Sequence, residues 1–212
     1  RRFIRLMLPK VIGHPIEQLT FLGFTVIASG LGAGAIAILN FARNFQSMPV
    51  NTIGVTFALA AFPVLARAAS VADSETFRRE FSFTGKAILL LTALAAVVVY
   101  LLRQPLIAFF LGGGAFDAAA IRLTAVTLGV FALAIPTESL THLLARGFYA
   151  LKDSLTPVLV SLLALVIAII NGYAFAQSYG VPGLALGFFT GSFLKTVILY
   201  LLLQRKITLL RK

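Results

Sequence analysis

The chain contains no cysteine and no tryptophan, and only two histidines, two methionines and seven acidic residues among 212. Without cysteine, neither a disulfide framework nor a thiolate-ligated metal centre is available. The two histidines, His14 and His142, leave little for a zinc site. Charged residues make up 12% of the chain, against about 25% in a soluble globular domain. Enzyme signatures are missing as well. There is no G-x-x-x-x-G-K-S/T loop for a nucleotide phosphate and no H-E-x-x-H or G-x-S-x-G pattern. The Gly112–Gly114 run lacks a following lysine and reads as a loop. Neither a catalytic nor a cofactor-dependent role is expected.

What the chain does have is apolar length. Hydrophobic residues are 59% of it and the mean hydropathy is +0.98. A bilayer selects such composition. The net charge is +11, which in a soluble protein would suggest nucleic acid. Here the basic residues sit between long apolar runs and form no continuous stripe, so nucleic acid is not an expected partner. The chain begins at Arg1 without a signal-peptide pattern, and a piece of a larger protein is expected.

A spanning helix needs about 20 mostly apolar residues. Six stretches qualify, at about 6–31, 33–69, 83–102, 118–150, 155–177 and 184–203. The expected fold is therefore all-α, a polytopic bundle of six spanning helices forming one transmembrane domain over 1–212. Glycines at 30, 32 and 34, the Gly112–Gly114 run, and Ser178, Gly180 and Pro182 punctuate the runs. Asp153 or Ser154 is the N-cap candidate before the fifth. The second and fourth runs are too long for a bilayer and must tilt, bend or protrude. Pro49 and Pro136 are the expected bending points. Interrupted helices often build transporter sites, although membrane helices also tolerate proline without any such role.

Charge tests the layout. With both ends in the cytoplasm, one side collects Arg1, Arg2, Arg5 and Lys10; then Arg67, Arg78, Arg79 and Lys86; then Arg146 and Lys152; then Arg205, Lys206, Arg211 and Lys212. The opposite turns near 32 and 180 carry no basic residue, and the turn near 110 is flanked only by Arg103 and Arg122. Six spans thus obey the positive-inside rule at every turn.

Polar groups inside a span are costly and usually face a cavity or a partner. In the second run, Asn40, Arg43, Asn44, Ser47 and Asn51 share one helical face, opposite Ile38, Phe41, Phe45 and Met48. Arg43 lies about 14 Å from the nearer turn by helical rise. A water-filled cavity explains why three asparagines share its stripe. In the fourth run, Glu138, His142, Arg146 and Tyr149 lie on one side. Glu138 and His142 fit a proton relay or a polar pair that locks two helices, and Arg146 fits a cytoplasmic anchor. Pro15 stands beside His14, Glu17 and Gln18 in the first run, where Glu17 suits a basic partner. Lys195 lies mid-span with Ser192 and Thr196 on its face, and an inward orientation is expected. Guanidinium and amide donors together suit an anionic head group.

Two segments are more specific. One runs from Gly34 through Asn40, Phe41, Ala42 and Arg43, continues through Gln46, Pro49 and Gly54, and ends at Phe62-Pro63-Val64-Leu65-Ala66-Arg67. The other is Arg146-Gly147-Phe148-Tyr149-Ala150-Leu151-Lys152-Asp153, followed by Thr156-Pro157. Together they resemble the lipid II flippase family, MurJ or MviN, of the MOP exporter superfamily. The likeness runs over nearly the whole chain and corresponds to the first six helices of the family's C-terminal lobe. It implies a bacterial inner-membrane transporter that moves an undecaprenyl-diphosphate-linked peptidoglycan precursor by alternating access. The partners it implies are membrane lipids, that precursor, an N-terminal lobe and two further helices. A cationic cavity residue of the family matches Arg43, with Asn40 and Gln46 at flanking polar positions. Asn44 and Asn51 join them as cavity candidates; Glu17, Glu138, His142 and Lys195 are candidates for the cavity or for ion coupling. Lys195 departs from the family's usual small or amide-bearing residue. The resemblance leaves another MOP-type exporter of lipid-linked oligosaccharide, or a non-transporting scaffold in a cell-wall complex, as alternatives.

Overall fold

A run of apolar backbone in lipid must satisfy its own N–H and C=O groups, and the helix does this within one segment. The computed structural model describes residues 15–113 and 116–209, and its regular elements are all helices. They are α1 (Pro15–Ser29), α2 (Ala35–Pro49), a π turn (Val50–Val55), α3 (Thr56–Ser70), α4 (Ser74–Leu111), α5 (Ala118–Ala132), α6 (Ala134–Ala150), α7 (Leu155–Tyr179) and α8 (Val181–Leu209). Among the described residues, four continuous helices are long and apolar enough to cross a membrane, and five when the bent α5–α6 pair counts as one. The first expected run, 6–31, is described only from Pro15 as the shorter apolar α1. His14 lies outside the described residues.

The two proline-bearing runs break their helical ladders differently. Pro49 ends α2 and has no N–H to offer the carbonyl four residues back. The chain passes through the wide Val50–Val55 turn and continues as α3 without leaving the helical path. This turn brings Gly54 against α6, where a Cβ would lie 2.6 Å from the Ser139 Cβ. Pro136 acts one turn before its own position. The break falls at Leu133, and α5 and α6 are bent by 44°. A proline ring clashes with the carbonyl four residues earlier, here that of Ala132. The bend is thus displaced from the expected point at Pro136 itself.

The third run departs most from expectation. α4 covers 38 residues, about 57 Å at 1.5 Å per residue, against a hydrocarbon core of about 30 Å. Its first turns continue beyond the apolar run because they have their own amphipathic logic. Phe77 and Phe81 are buried with rings stacked at 6.4 Å, while Arg78 and Arg79 are exposed. Asp73 caps the start by accepting from the Thr76 amide at 2.9 Å.

α7 and α8 form a hairpin turned by Gly180 alone, at φ 64°. Small residues let their backbones touch. A Cβ on Gly187 would sit 2.4 Å from the Gly172 Cα. Two apolar cores flank the bundle's middle. One, at the end where α1, α4 and α7 turn, includes Phe21, Phe24, Phe131 and Phe188. The other, at the end where α3 and α6 turn, includes Leu65, Phe77, Phe81, Leu143, Phe148 and Leu203.

Gly187→Ala should cost about 1–3 kcal/mol, the usual cost of overpacking, because backbone and not a mobile side chain is in the way. Gly85→Ala should be neutral or stabilising by about 0.5–1 kcal/mol, since its nearest obstacle is Leu143 Cδ2 at 3.6 Å. Thermal unfolding of the purified protein in detergent compares the two, and equal midpoints would remove the close-packing account.

Candidate functional site

Between the two cores lies a cavity of about 860 Å³. Its walls come from α1, α2 with its π turn, α3, α6, α7 and α8. α2 contributes Arg43, Asn44, Gln46 and Ser47, and Asn51 follows on the π turn. Asn40, placed on the same face by helical spacing, does not line the cavity and is exposed. The physical reason is a floor of aromatic rings. Phe21, Phe131 and Phe188 meet with centroids 5.1 to 6.4 Å apart, and Arg43 sits directly on this floor. One turn beyond Arg43, Asn40 is past it.

Arg43 is held from two sides. Its Cζ lies 3.3 Å from the centroid of the Phe21 ring, and its Nη2 lies 3.6 Å from Glu17 Oε1. Glu17 and Phe21 are four residues apart on α1 and present a carboxylate and a ring to the same cation. The side chains retain 24% and 44% exposure for Arg43 and Glu17, so the pair faces the cavity and is not sealed in a dry core. Sequence reasoning chose Glu17 as a partner for a basic residue but missed Phe21. The available signal was a phenylalanine one turn from a membrane-embedded acid. Gln46 is 3% exposed and lines the cavity, and its Nε2 has no hydrogen-bond partner among the described residues.

Glu138 is 5% exposed and accepts from Ser192 Oγ on α8 at 3.0 Å. The same serine lies 3.1 Å from the Thr137 hydroxyl, and Thr196 Oγ1 donates to the Thr137 carbonyl at 3.0 Å. A hydroxyl ladder thus ties α6 to α8 around the carboxylate. Thr137 had no place in the sequence reading, because a threonine beside a glutamate carries no spacing signal. Below Glu138, α6 lines the cavity with Thr141, His142, Ala145, Arg146 and Tyr149, and of its positions from Thr141 to Ala150 all but His142, Ala145, Arg146 and Tyr149 are buried. Lys195 of α8 is half-buried and lines the same space. Among the described residues no cluster of three or more metal-ligating side chains occurs.

The Arg146–Pro157 segment closes α6 and starts α7. Lys152 adopts φ 58°, and the amides of Lys152 and Asp153 bond the carbonyls of Tyr149 and Phe148 at 3.0 and 2.9 Å. That is the Schellman termination of a helix, unusual here in using lysine for the left-handed residue. Ser154 occupies the N-cap position of α7 without a side-chain bond. Asp153 does the capping: it accepts from the Thr156 amide at 3.0 Å and hydroxyl at 2.7 Å, and pairs with Lys206 of α8. Phe148 is buried beneath the turn, and Pro157 sits in the first turn of α7, where its missing N–H costs nothing. The same device recurs after α3. Ala72 at φ 55° precedes Asp73, which bonds Thr76 three residues on. Both turns read Asp-Ser-x-Thr.

A family model described as "Lipid II flippase MurJ" matches residues 1–212. The chain belongs to the MurJ family. It is 29% identical over 206 residues to "Lipid II flippase MurJ" of Burkholderia cenocepacia, covering 97% of this chain and 40% of that protein. It is 27% identical to "Probable lipid II flippase MurJ" of Vibrio cholerae, covering 92% of this chain and 37% of the relative. The chain therefore spans about two fifths of the length of these curated relatives. Among solved structures, "Lipid II flippase MurJ, inward closed conformation" superposes with a TM-score of 0.84 at 23% identity, over 96% of this chain and 43% of that one. A MATE transporter of Vibrio cholerae, VcmN in its bent form, gives 0.87 at 17% identity over 98% and 46%. At such identities the two structures establish the fold alone. The first of these proteins is named a flippase and the second a transporter.

Asp153 lies outside the candidate spans and reports on the α6–α7–α8 junction. Burial raises its carboxyl pKa, but the hydrogen bond from Lys206, the two from Thr156 and the Lys206 charge outweigh burial and hold it below the ordinary carboxylate range. The stabilisation is complete above the unfolded value of about 3.9 and is lost as pH falls from there through the folded value. Asp153→Asn should lower the unfolding temperature at pH 7 and flatten its fall below about pH 4. Parallel acid profiles for the two proteins would exclude this role.

Proposed function

We propose that this chain is one lobe of a lipid II flippase of the bacterial inner membrane, with both of its ends cytoplasmic. The observation that carries the reading is Arg43. A guanidinium on the wall of a polar intramembrane cavity, beside Gln46 with its unbonded amide, suits a diphosphate through charge-assisted hydrogen bonds. Asn44 and Asn51 line the same wall and suit the sugar hydroxyls that follow the diphosphate. Glu17, Glu138, His142 and Lys195 are further titratable or charged groups of the cavity and are the candidates for ion coupling. The orientation follows the basic residues at the α3–α4 and α6–α7 turns. The cavity then lies in the cytoplasmic half, where the precursor is made. The partner lobe and the two further helices of the family complete the transporter. Rocking of the lobes draws on the π turn after Pro49 and the bend before Pro136. An inside-negative potential favours outward movement of negative charge by about 2.3 kcal/mol per charge per 100 mV.

Arg43→Ala in the full-length protein should leave folded yield near normal and abolish complementation in flippase-depleted cells. Removing charge-assisted bonds of about 1.5–3 kcal/mol each should weaken head-group binding ten-fold or more. The chain's lack of cysteine allows a direct test of the aqueous wall. Cysteine at Asn44 and Asn51 should react with a membrane-impermeant thiol reagent in inverted vesicles. Cysteine at Leu90, exposed on α4 within the apolar run, should not. Equal silence at all three positions would rule out the cavity.

A further inference from the structure

We propose that Arg146 is a second anion station, at the cytoplasmic mouth of the cavity, where a phosphate group is captured before it reaches Arg43. The proposal rests on the reading of the cavity as an anion site, and it gives the site an order.

Arg146 was expected to be an interfacial anchor, and anchors point along or away from the bundle. This one lines the cavity. On the buried stretch of α6 it belongs to the one open face, with His142, Ala145 and Tyr149, and it is the only permanently charged residue of that face. It lies four residues before the end of α6 at Ala150, whereas Arg43 rests on the aromatic floor. Glu138 marks the deeper level, since its partner Ser192 is one turn from Phe188 of the floor. Glu138 and Arg146 are eight residues apart, about 12 Å along α6. The two guanidiniums therefore stand at different depths.

They also differ in what already holds them. Arg43 is paired with Glu17 and stacked on Phe21. Arg146 gives one N–H to the His142 carbonyl at 3.0 Å, which fixes the side chain along its own helix. Among the described residues the two ion pairs are Arg43–Glu17 and Lys206–Asp153, so no carboxylate lies within 4 Å of Arg146. Guanidinium has five N–H donors, and most of those on Arg146 remain for a ligand. Among the described residues an incoming phosphate meets no paired carboxylate at Arg146, while at Arg43 it must displace the Glu17 carboxylate. The shallow site is suited to fast capture and the deep site to commitment. The ligand class is a phosphate or diphosphate, carried on a lipid or free in solution.

The test uses the full-length protein in nanodiscs with two probes, a fluorescent polyprenyl diphosphate and inorganic pyrophosphate. Arg146→Gln should slow association of the lipid probe about ten-fold, the lower range of electrostatic steering, and change its dissociation less than two-fold. Arg146→Lys should restore most of the rate. Pyrophosphate should slow capture by the native protein more than by Arg146→Gln; slowing of neither would mean that the lipid portion, and not the phosphate, is recognised at the mouth, and equal slowing of both would place the competing anion away from Arg146, either result being against the proposal. Should Arg146→Gln fold poorly, Ala145→Glu keeps the arginine and places a carboxylate beside it, and it should give the same slowing. Unchanged association in either folded variant overturns the proposal, as does a change confined to dissociation. Arg43→Gln separates the two readings: if it leaves affinity untouched, the deep site fails, whatever Arg146 does.

Discussion

A guanidinium inside a membrane lobe needs a counter-charge and access to water, and the architecture around Arg43 supplies both. Hydrocarbon cannot solvate the cation, so α1 brings a carboxylate and a ring to it from positions four residues apart. The ring belongs to the aromatic floor that ends one apolar core, and the carboxylate opens onto the cavity. The rest of the lobe follows from that placement. α1 must lie beside α2 with Glu17 and Phe21 facing it. α5 and α8 must supply Phe131 and Phe188 to complete the floor. The space below must remain polar, because the pair is only partly covered.

That space stays open because its walls are fixed elsewhere. α8 is held against α7 by backbone-to-backbone contact at Gly172 and Gly187, and against α6 by hydroxyls around Glu138. The buried carboxylate is thus embedded in a helix–helix seam, with Ser192 as its donor. The α6–α7 turn is fixed from outside by Asp153, which serves helix cap and ion pair with one carboxylate. The matching Asp73 turn does the capping half of that work before α4. Rigid seams around a polar middle fit the rocking proposed for the lobe, while the π turn at Val50–Val55 and the bend at Leu133 mark where its helices depart from regularity.

Hydropathy made the helical bundle legible, and the fifth and sixth runs, 155–177 and 184–203, fall within α7 and α8. It failed at α4 because a hydropathy window stops at Arg78 and Arg79, while a helix stops only where its cap lies, at Asp73. Proline announced an irregularity in the fourth run but not its position, since the ring acts on the carbonyl four residues earlier. For the cavity, helical spacing identified the polar face of α2 but not its useful length. Asn40 and Asn44 are equivalent by period and differ only in their side of a floor built by three other helices. Phe21 and the Thr137 ladder were invisible for the same reason: each matters through a partner distant in sequence. The Asp-Ser-x-Thr turns, in contrast, are local. Their motif residues serve a fold purpose that the sequence expresses directly, and Arg146, which opens the same motif, does not share it.

A transport site must bind its cargo strongly enough to load and weakly enough to release it, as a conducting pore must. Among the described residues, the permanently charged side chains and carboxylates lining this cavity are three cations, Arg43, Arg146 and Lys195, against two carboxylates, Glu17 and Glu138. An uncompensated trio would hold a diphosphate as a trap. A fully matched set would not attract one. The arrangement lies between these limits, and the internal carboxylate is placed at the deepest cation, where an anion would otherwise stay longest. On the proposed reading Glu17 is as much part of release as Arg43 is of capture: with the head group gone, the carboxylate stands 3.6 Å from the guanidinium, in position to take it back.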